Sequence, residues 1–149
     1  MATSLTAPDL REPWMARFWR YTFPVGAGVK CWQGGRAVLD TRAGATQGQC
    51  IPAVAAPGLV PIGRFRSTVD NTAGVNGALS VEVELVKEAF VQFFNNSATN
   101  AITAAMVGQA AYLEDDNHVG NATADSATCS SPGIVWSVNA TDGVGVRLT

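Results

Sequence analysis

Residues 79–85 (LSVEVEL) alternate without a break: Leu79, Val81, Val83 and Leu85 fall on one face, and Ser80, Glu82 and Glu84 on the other. A period of two with one apolar face predicts a half-buried antiparallel strand. Around it, short apolar runs separated by turn residues predict more strands. Residues 29–33 and 36–40 flank Gly34-Gly35, a two-residue hairpin signal. Residues 49–55 and 59–69 are interrupted by Pro52, Pro57 and Pro61, which push them toward sheet edges or margins because proline donates no ladder hydrogen bond. Residues 71–77 (NTAGVNG) form a turn cluster, and a strand over 90–94 ends at Asn95-Asn96.

The run 110–113 closes in Glu114-Asp115-Asp116-Asn117 before His118-Val119 resume extended structure. Pro132-Gly133 opens 134–138, and Asp142-Gly143 turns that run into 144–148. After residue 28 only 101–107 (AITAAMV) suits a helix, capped by Thr103 and ended by Gly108. Strands at roughly 8–12-residue spacing indicate a sandwich or barrel. The expected fold is mainly β: a small antiparallel β-barrel or β-sandwich with one short helix and an extended N-terminal arm.

That arm is expected over 1–27, ahead of a β-rich domain over 28–149. Residues 1–24 hold five of the twelve aromatics, namely Trp14, Phe18, Trp19, Tyr21 and Phe23, together with Pro8, Pro13 and Pro24. Asp9 can cap a helical turn that sets Trp14, Arg17 and Phe18 on one face. Tryptophan and arginine anchor protein interfaces, so Trp14, Arg17, Phe18 and Trp19 are candidate contacts with a neighbouring subunit. Packing of these aromatics on the chain's own core is the other reading.

Composition narrows the function. The chain is 47% hydrophobic and 15% charged, against a usual charged share of about 25%, so small neutral residues cover much of its surface. The net charge of −2 argues against a general nucleic-acid binder, and no apolar stretch is long enough to span a membrane. Residues 1–66 carry eight basic and three acidic side chains, a net +5, whereas 67–149 carry two basic and nine acidic, a net −7. Such asymmetry suits head-to-tail docking of copies or docking of a basic arm on an acidic surface; two solvated charge sets are the alternative. Cys31, Cys50 and Cys129 fit no disulfide or zinc pattern and are read as small buried hydrophobes of a protein made in a reducing cytoplasm. The start of the chain lacks the layout of a signal peptide.

Candidate chemistry is sparse. His118 beside Asp115 and Asp116 brings a metal or acid–base site to mind, but an acidic Asx-rich tetrad is ordinary turn material. Glu82 and Glu84 share the polar face of one strand, where solvated carboxylates are expected. No phosphate-cradling glycine motif is present. The reading is of a non-enzymatic protein with no cofactor and no metal.

One ordered series of residues carries a resemblance. Val69-Asp70-Asn71-Thr72, Gly74 and Gly77 lead into Val81 and Val83; Phe90, Phe93 and Asn95 follow, then Ala101-Ile102-Thr103-Ala104 and Val107-Gly108. Ala111-Tyr112-Leu113, Asp115-Asp116 and Val119 come next, then Gly133, Val135, Val138, Gly143-Val144 and Val146. Pro52 to Ala56 and Val60 to Phe65 with Gly63 also fit. This distributed pattern, over about 28–148, resembles the capsid decoration (cement) proteins of tailed bacteriophages. Lys87-Glu88-Ala89 departs from it where an Arg-x-Gly is expected, as does His118 where a threonine is usual, and residues 1–24 lie outside it.

The resemblance implies a virion protein on the outer surface of the phage head that reinforces the expanded shell. Its partners would be the major capsid protein and further copies of itself, a trimer in preference to a dimer. On this reading Glu82, Glu84, Asp115 and Asp116 are expected to meet basic patches on an adjoining subunit. Another virion component (a head-fibre base or tail subunit) and a carbohydrate-binding β-sandwich module are the competing classes.

Overall fold

The computed structural model describes residues 20–85 and 91–149, and it is mainly β, as expected. The strands in chain order are β1 (Arg20–Pro24), β2 (Lys30–Cys31), β3 (Arg36–Asp40), β4 (Cys50–Pro52), β5 (Leu59–Phe65) and β6 (Val69–Asp70). They continue with β7 (Ser80–Leu85), β8 (Val91–Asn96), β9 (Ala110–Leu113), β10 (His118–Asn121), β11 (Gly133–Asn139) and β12 (Gly143–Leu148). An antiparallel sheet runs β1-β7-β5-β3-β4, a closed barrel runs β10-β8-β12-β11-β9, and β2 with β6 forms a two-stranded ribbon. All barrel pairings are antiparallel except β8 with β10.

The alternation expected over 79–85 is realised in β7, although Leu79 precedes the strand and is exposed. Val81 and Val83 are buried, while Ser80 and Glu82 are exposed and Glu84 is half-buried. One face of the sheet packs Val25, Cys31, Ala37, Cys50, Phe65, Val81 and Val83 into a core that the ribbon covers. Val38, Ile51, Ala53 and Leu59 join a second core with the barrel residues Phe94, Leu113, Val119, Val135, Val144 and Val146. Burying such a side chain contributes about 1.5–3 kcal/mol, so this shared core binds sheet and barrel into one body. Polar stitches cross the same seam: Ser130 Oγ donates to Ala56 O (2.7 Å) and accepts from the Leu59 amide (3.1 Å).

The expected arm lies outside the described residues up to Trp19, whereas residues 20–27 belong to the body. β1 pairs antiparallel with β7, Tyr21 opposite Val83 and Phe23 opposite Val81. Val25 is fully buried and donates its amide to Leu79 O at 2.9 Å.

The hairpin expected over Gly34-Gly35 does not form. β2 pairs with β6, Lys30 opposite Asp70 and Cys31 opposite Val69. The glycine pair meets the end of β5 instead: Gly34 donates to Phe65 O (2.9 Å) and Phe65 donates to Gly35 O (3.0 Å). Tertiary pairing with β5 outweighs the local turn signal, and Gly34 supplies the positive φ (+89°) that the corner requires.

Pro52 lies on the edge strand β4, as expected, but Pro61 lies in β5, between β3 and β7. A register shift sets Pro61 opposite Val38, and among the described residues β7 pairs with β5 only through Gly63, Arg64 and Phe65. Pro61 therefore occupies a stretch that is locally an edge, where its missing N–H leaves no ladder bond unmade.

The helix expected over 101–107 is replaced by a single 3-10 turn, Ala104–Met106, whose Thr103 side chain makes no capping bond. The Asn96 amide explains the difference. It accepts from Ile102 N and donates to Ile102 O, both at 2.8 Å, holding that backbone extended while Ile102 is buried in the core. A four-residue helix, α1 (Ala122–Asp125), stands where none was expected.

Candidate functional site

Cross-strand register brings four charged residues into one row across the sheet. Arg36 of β3 lies opposite Arg64 of β5, Arg64 opposite Glu84 of β7, and Glu84 opposite Arg20 of β1. Like charges directly opposite each other oppose pairing, so two adjacent arginines need a compensating acid. Glu84 supplies it to Arg64, accepting from its guanidinium at 2.9 Å. Arg66 lies 3.7 Å from Glu84 and 3.8 Å from Glu82. The hydrogen bond from Arg64, aided by the charges of Arg64, Arg66 and Arg20, holds the Glu84 carboxyl below its ordinary value.

Arg36 has no such acid. It is 3% exposed, and its guanidinium donates to Gly63 O (3.2 Å) and to the Gln92 side-chain carbonyl of β8, both neutral acceptors. Among the described residues no carboxylate lies within salt-bridge distance of it, and its Nε has no hydrogen-bond partner. It stacks 4.7 Å from the centre of the Phe94 ring. Burial, and secondarily the nearby Arg64 charge, lower its pKa from the ordinary arginine value to about 9, so it is charged at neutral pH.

The local fold explains how an arginine reaches this place. Gly63 lets β5 approach β7, since a Cβ there would sit 2.0 Å from Glu84 O, and the Gly63 carbonyl then faces Arg36. Arg36 also donates its backbone amide to Asp116 O at 2.8 Å, which pins the β9–β10 turn over the start of β3. Between these elements opens a cleft of about 450 Å³. Arg36, Arg64, Glu84, Gln92 and Asp116 give it polar walls, and Leu85, Val91, Phe93 and Phe94 apolar ones.

Of the residues singled out from sequence, Glu84 and Asp116 line this cleft. Glu82 stands on the same face of β7 as Glu84, exposed beside Arg66, and Asp115 caps the β9–β10 turn. Glu82 and Glu84, expected to offer a free acidic face, are matched by arginines; the four arginines 20, 36, 64 and 66 outnumber them and make this face basic. Trp14, Arg17, Phe18 and Trp19 lie outside the described residues.

Asp115 accepts from the amides of Asn117 and His118, each at 2.7 Å, and its two carboxylate oxygens lie 3.0 Å from His118 Nδ1. Burial alone would raise the Asp115 carboxyl; the two amides and the imidazole outweigh it and hold the group below its ordinary value. Asp116 moves the other way, raised by burial and then by the Asp115 charge. Among the described residues no group of three or more His, Cys, Asp or Glu side chains is placed to hold a metal ion. Cys31, Cys50 and Cys129 are free and buried, and burial pushes the Cys31 and Cys50 thiols up to about 11 and about 12.

Arg36 and Arg64 were not singled out from sequence. A signal was present: β3 alternates Arg36, Val38, Asp40 on one face, so an arginine shares its side of the strand with a core valine. Comparison with known proteins finds no matching family model, no matching curated protein and no matching solved structure.

Proposed function

We propose that the protein is a non-enzymatic virion component that binds the exterior of an expanded phage head and stabilises its lattice. The residue series that resembles the decoration proteins supports this reading. The observation that carries it is the display of large aromatics: Tyr21, Trp32, Phe93 and Trp136 are each 53–60% exposed. Aromatic side chains are enriched at protein interfaces, and their spread over sheet, ribbon connection and barrel suits several modest contacts acting together. A ligand of the expanded lattice alone stabilises it by mass action, and bridging of capsomers adds avidity. The major capsid protein and further copies of this chain, as a trimer, are the proposed partners.

The test mixes purified protein with expanded, undecorated heads, sediments them and counts bound copies per coat subunit. Saturation near one copy per coat subunit, absent on unexpanded heads, is expected. No sedimentation with expanded heads would remove the proposal for that lattice. Exposure of Trp32 and Trp136 also favours a glycan-binding reading. Against it, Lys30 Nζ sits 4.0 Å from the Trp32 ring centre and the Arg147 guanidinium 5.4 Å from that of Trp136, each on a ring face a sugar would use. Tryptophan fluorescence unchanged by glycans would dispose of it.

A further inference from the structure

We propose that the cleft between sheet and barrel is a binding site for a carboxylate carried on an apolar body, with Arg36 as its anion-binding group. A guanidinium has five N–H donors, and the two bonds from Arg36 to Gly63 O and Gln92 engage only part of them. A buried charge is stable when paired, and both acceptors here are neutral. The cross-strand row adds positive potential, because among the described residues Arg20, Arg36 and Arg64 share one carboxylate in that row, Glu84. The opposite wall is apolar: Leu85, Val91, Phe93 and Phe94 offer a hydrocarbon or aromatic group its contact surface, and Phe93 is 53% exposed at the rim. A fixed fork of donors beside an apolar wall is the recognition chemistry of an organic acid.

Among the described residues two carboxylates, Glu84 and Asp116, line the same cleft, and the commitments of both leave Arg36 available. Glu84 is bonded to Arg64. Asp116 lies against the Gly35 backbone, with its Oδ2 2.6 Å from where a Gly35 Cβ would stand. Asp116 therefore opposes an incoming anion without neutralising Arg36. Its removal should tighten binding, whereas a carboxylate built in beside Arg36 should weaken it.

Both effects are read by NMR on the full chain, from the Arg36 Nε–Hε resonance during titration with sodium benzoate. Benzamide serves as the neutral isostere and sodium chloride as the ionic-strength control. Benzoate is expected to shift the resonance saturably, with benzamide and chloride leaving it in place. Asp116→Asn should lower the benzoate dissociation constant. Gln92→Glu, nearly isosteric and already in contact with the guanidinium, should raise the melting temperature and weaken benzoate binding about tenfold or more. It keeps Arg36, so the test does not rest on a variant that fails to fold.

A blocked tripeptide, acetyl-Ala-Glu-Ala-amide, distinguishes a polypeptide side chain from a free acid as the source of the carboxylate. Tighter binding of the peptide assigns the site to a docking chain, and tighter binding of benzoate to a small molecule. Equal shifts with benzamide, or no shift with either acid, would overturn the proposal. So would a large fall in melting temperature on Asp116→Asn or Glu88→Gln, since Arg36 would then already have its acid within the chain. The site is independent of the capsid reading: a protein that ignores phage heads can still bind benzoate here.

Discussion

The barrel and the sheet mix local and long-range pairing in different proportions. In the barrel two pairings join chain neighbours, β9 with β10 across the Glu114–Asn117 turn and β11 with β12 across Asn139 to Gly143, while β8 closes the ring by pairing with β12 and β10, and β9 pairs with β11. Its interior is apolar, from Phe94 and Leu113 to Val144 and Val146. In the sheet only β3 and β4 are paired chain neighbours, and the order β1-β7-β5-β3-β4 sets the first strand beside the seventh. The sheet face toward the barrel also holds a row of charge with a buried arginine. Local pairing needs only turn chemistry and a period of two. Long-range pairing needs close backbone approaches and side chains that hold distant strands in register, and these are the places where the sheet can be broken.

Gly63 offers the largest effect. A methyl group there meets the Glu84 carbonyl at 2.0 Å, a backbone atom that cannot move aside without parting β5 from β7. Gly63→Ala should cost about 3 kcal/mol or more by chemical denaturation. In the barrel Gly133 and Gly143 make the same kind of backbone approach, to Arg147 O and Phe94 O, whereas Gly145 is enclosed by side chains: its added methyl meets Ser137 Oγ at 2.4 Å, then Val91 and Phe93 side-chain atoms. Those groups can rotate, so Gly145→Ala should cost about 1 kcal/mol. Equal costs would remove the distinction between the two approaches.

Asn71 is the next largest. It is buried, and its Nδ2 donates to Gly26 O (2.9 Å) and Val75 O (3.0 Å), with Val25 O at 3.4 Å, joining the β1 exit to the turn after β6. Asn71→Ala leaves those carbonyls unanswered and should cost about 2 kcal/mol. Amide exchange at Val25, which donates to Leu79 O, should accelerate with it, while exchange in β11 and β12 follows only the global loss.

Asp40 gives the sheet its acid sensitivity. The Arg42 side chain donates to it at 2.8 Å and the Thr46 hydroxyl at 2.6 Å. The Arg42 hydrogen bond first, then that of Thr46, holds the buried carboxyl well below its ordinary value against the opposing effect of burial. A depressed value means that the ionised form stabilises the fold above the unfolded value of about 4, and that this contribution is lost as pH falls from there toward the folded value. Asp40→Asn should cost about 1–2 kcal/mol at pH 7 and flatten the acid limb of a stability–pH curve. An unchanged acid limb would assign that sensitivity to other carboxylates.

The same contrast decides what could be read from sequence. The alternation of β7 and the turns before β10 and β12 were legible because side-chain period and turn chemistry are local properties. The pairing of Lys30–Cys31 with Val69–Asp70, the placement of Arg20–Pro24 beside β7 and the absence of a Gly34-Gly35 hairpin were not legible. Each is decided by a partner far away in the chain. Glu82 and Glu84 were read correctly as one face and incompletely as a site, since only register reveals that Arg64 and Arg66 answer them. The helix expected over 101–107 is present only as a short 3-10 turn after Thr103, because one amide, Asn96, occupies the backbone groups of Ile102.

Glu82 and Glu84 offer the smallest test and the finest one, because they differ only in register. Glu82 is exposed and lies 3.8 Å from Arg66, an arrangement whose Coulomb gain is largely offset by solvation and side-chain entropy. Glu82→Gln should therefore change stability by less than about 0.5 kcal/mol. Glu84 stands opposite Arg64 and Arg20, and Arg64 stands opposite Arg36, so Glu84→Gln leaves three arginines in a row without an acid. Its cost should be about 1 kcal/mol at low ionic strength and should shrink in salt as the exposed members of the row are screened. If the two substitutions behaved alike across a salt series, position in the row would carry no energy, and the sheet would be held by its apolar faces alone. A gap that narrows with salt means that the charge row helps to set how β1, β7, β5 and β3, strands that are not chain neighbours, align.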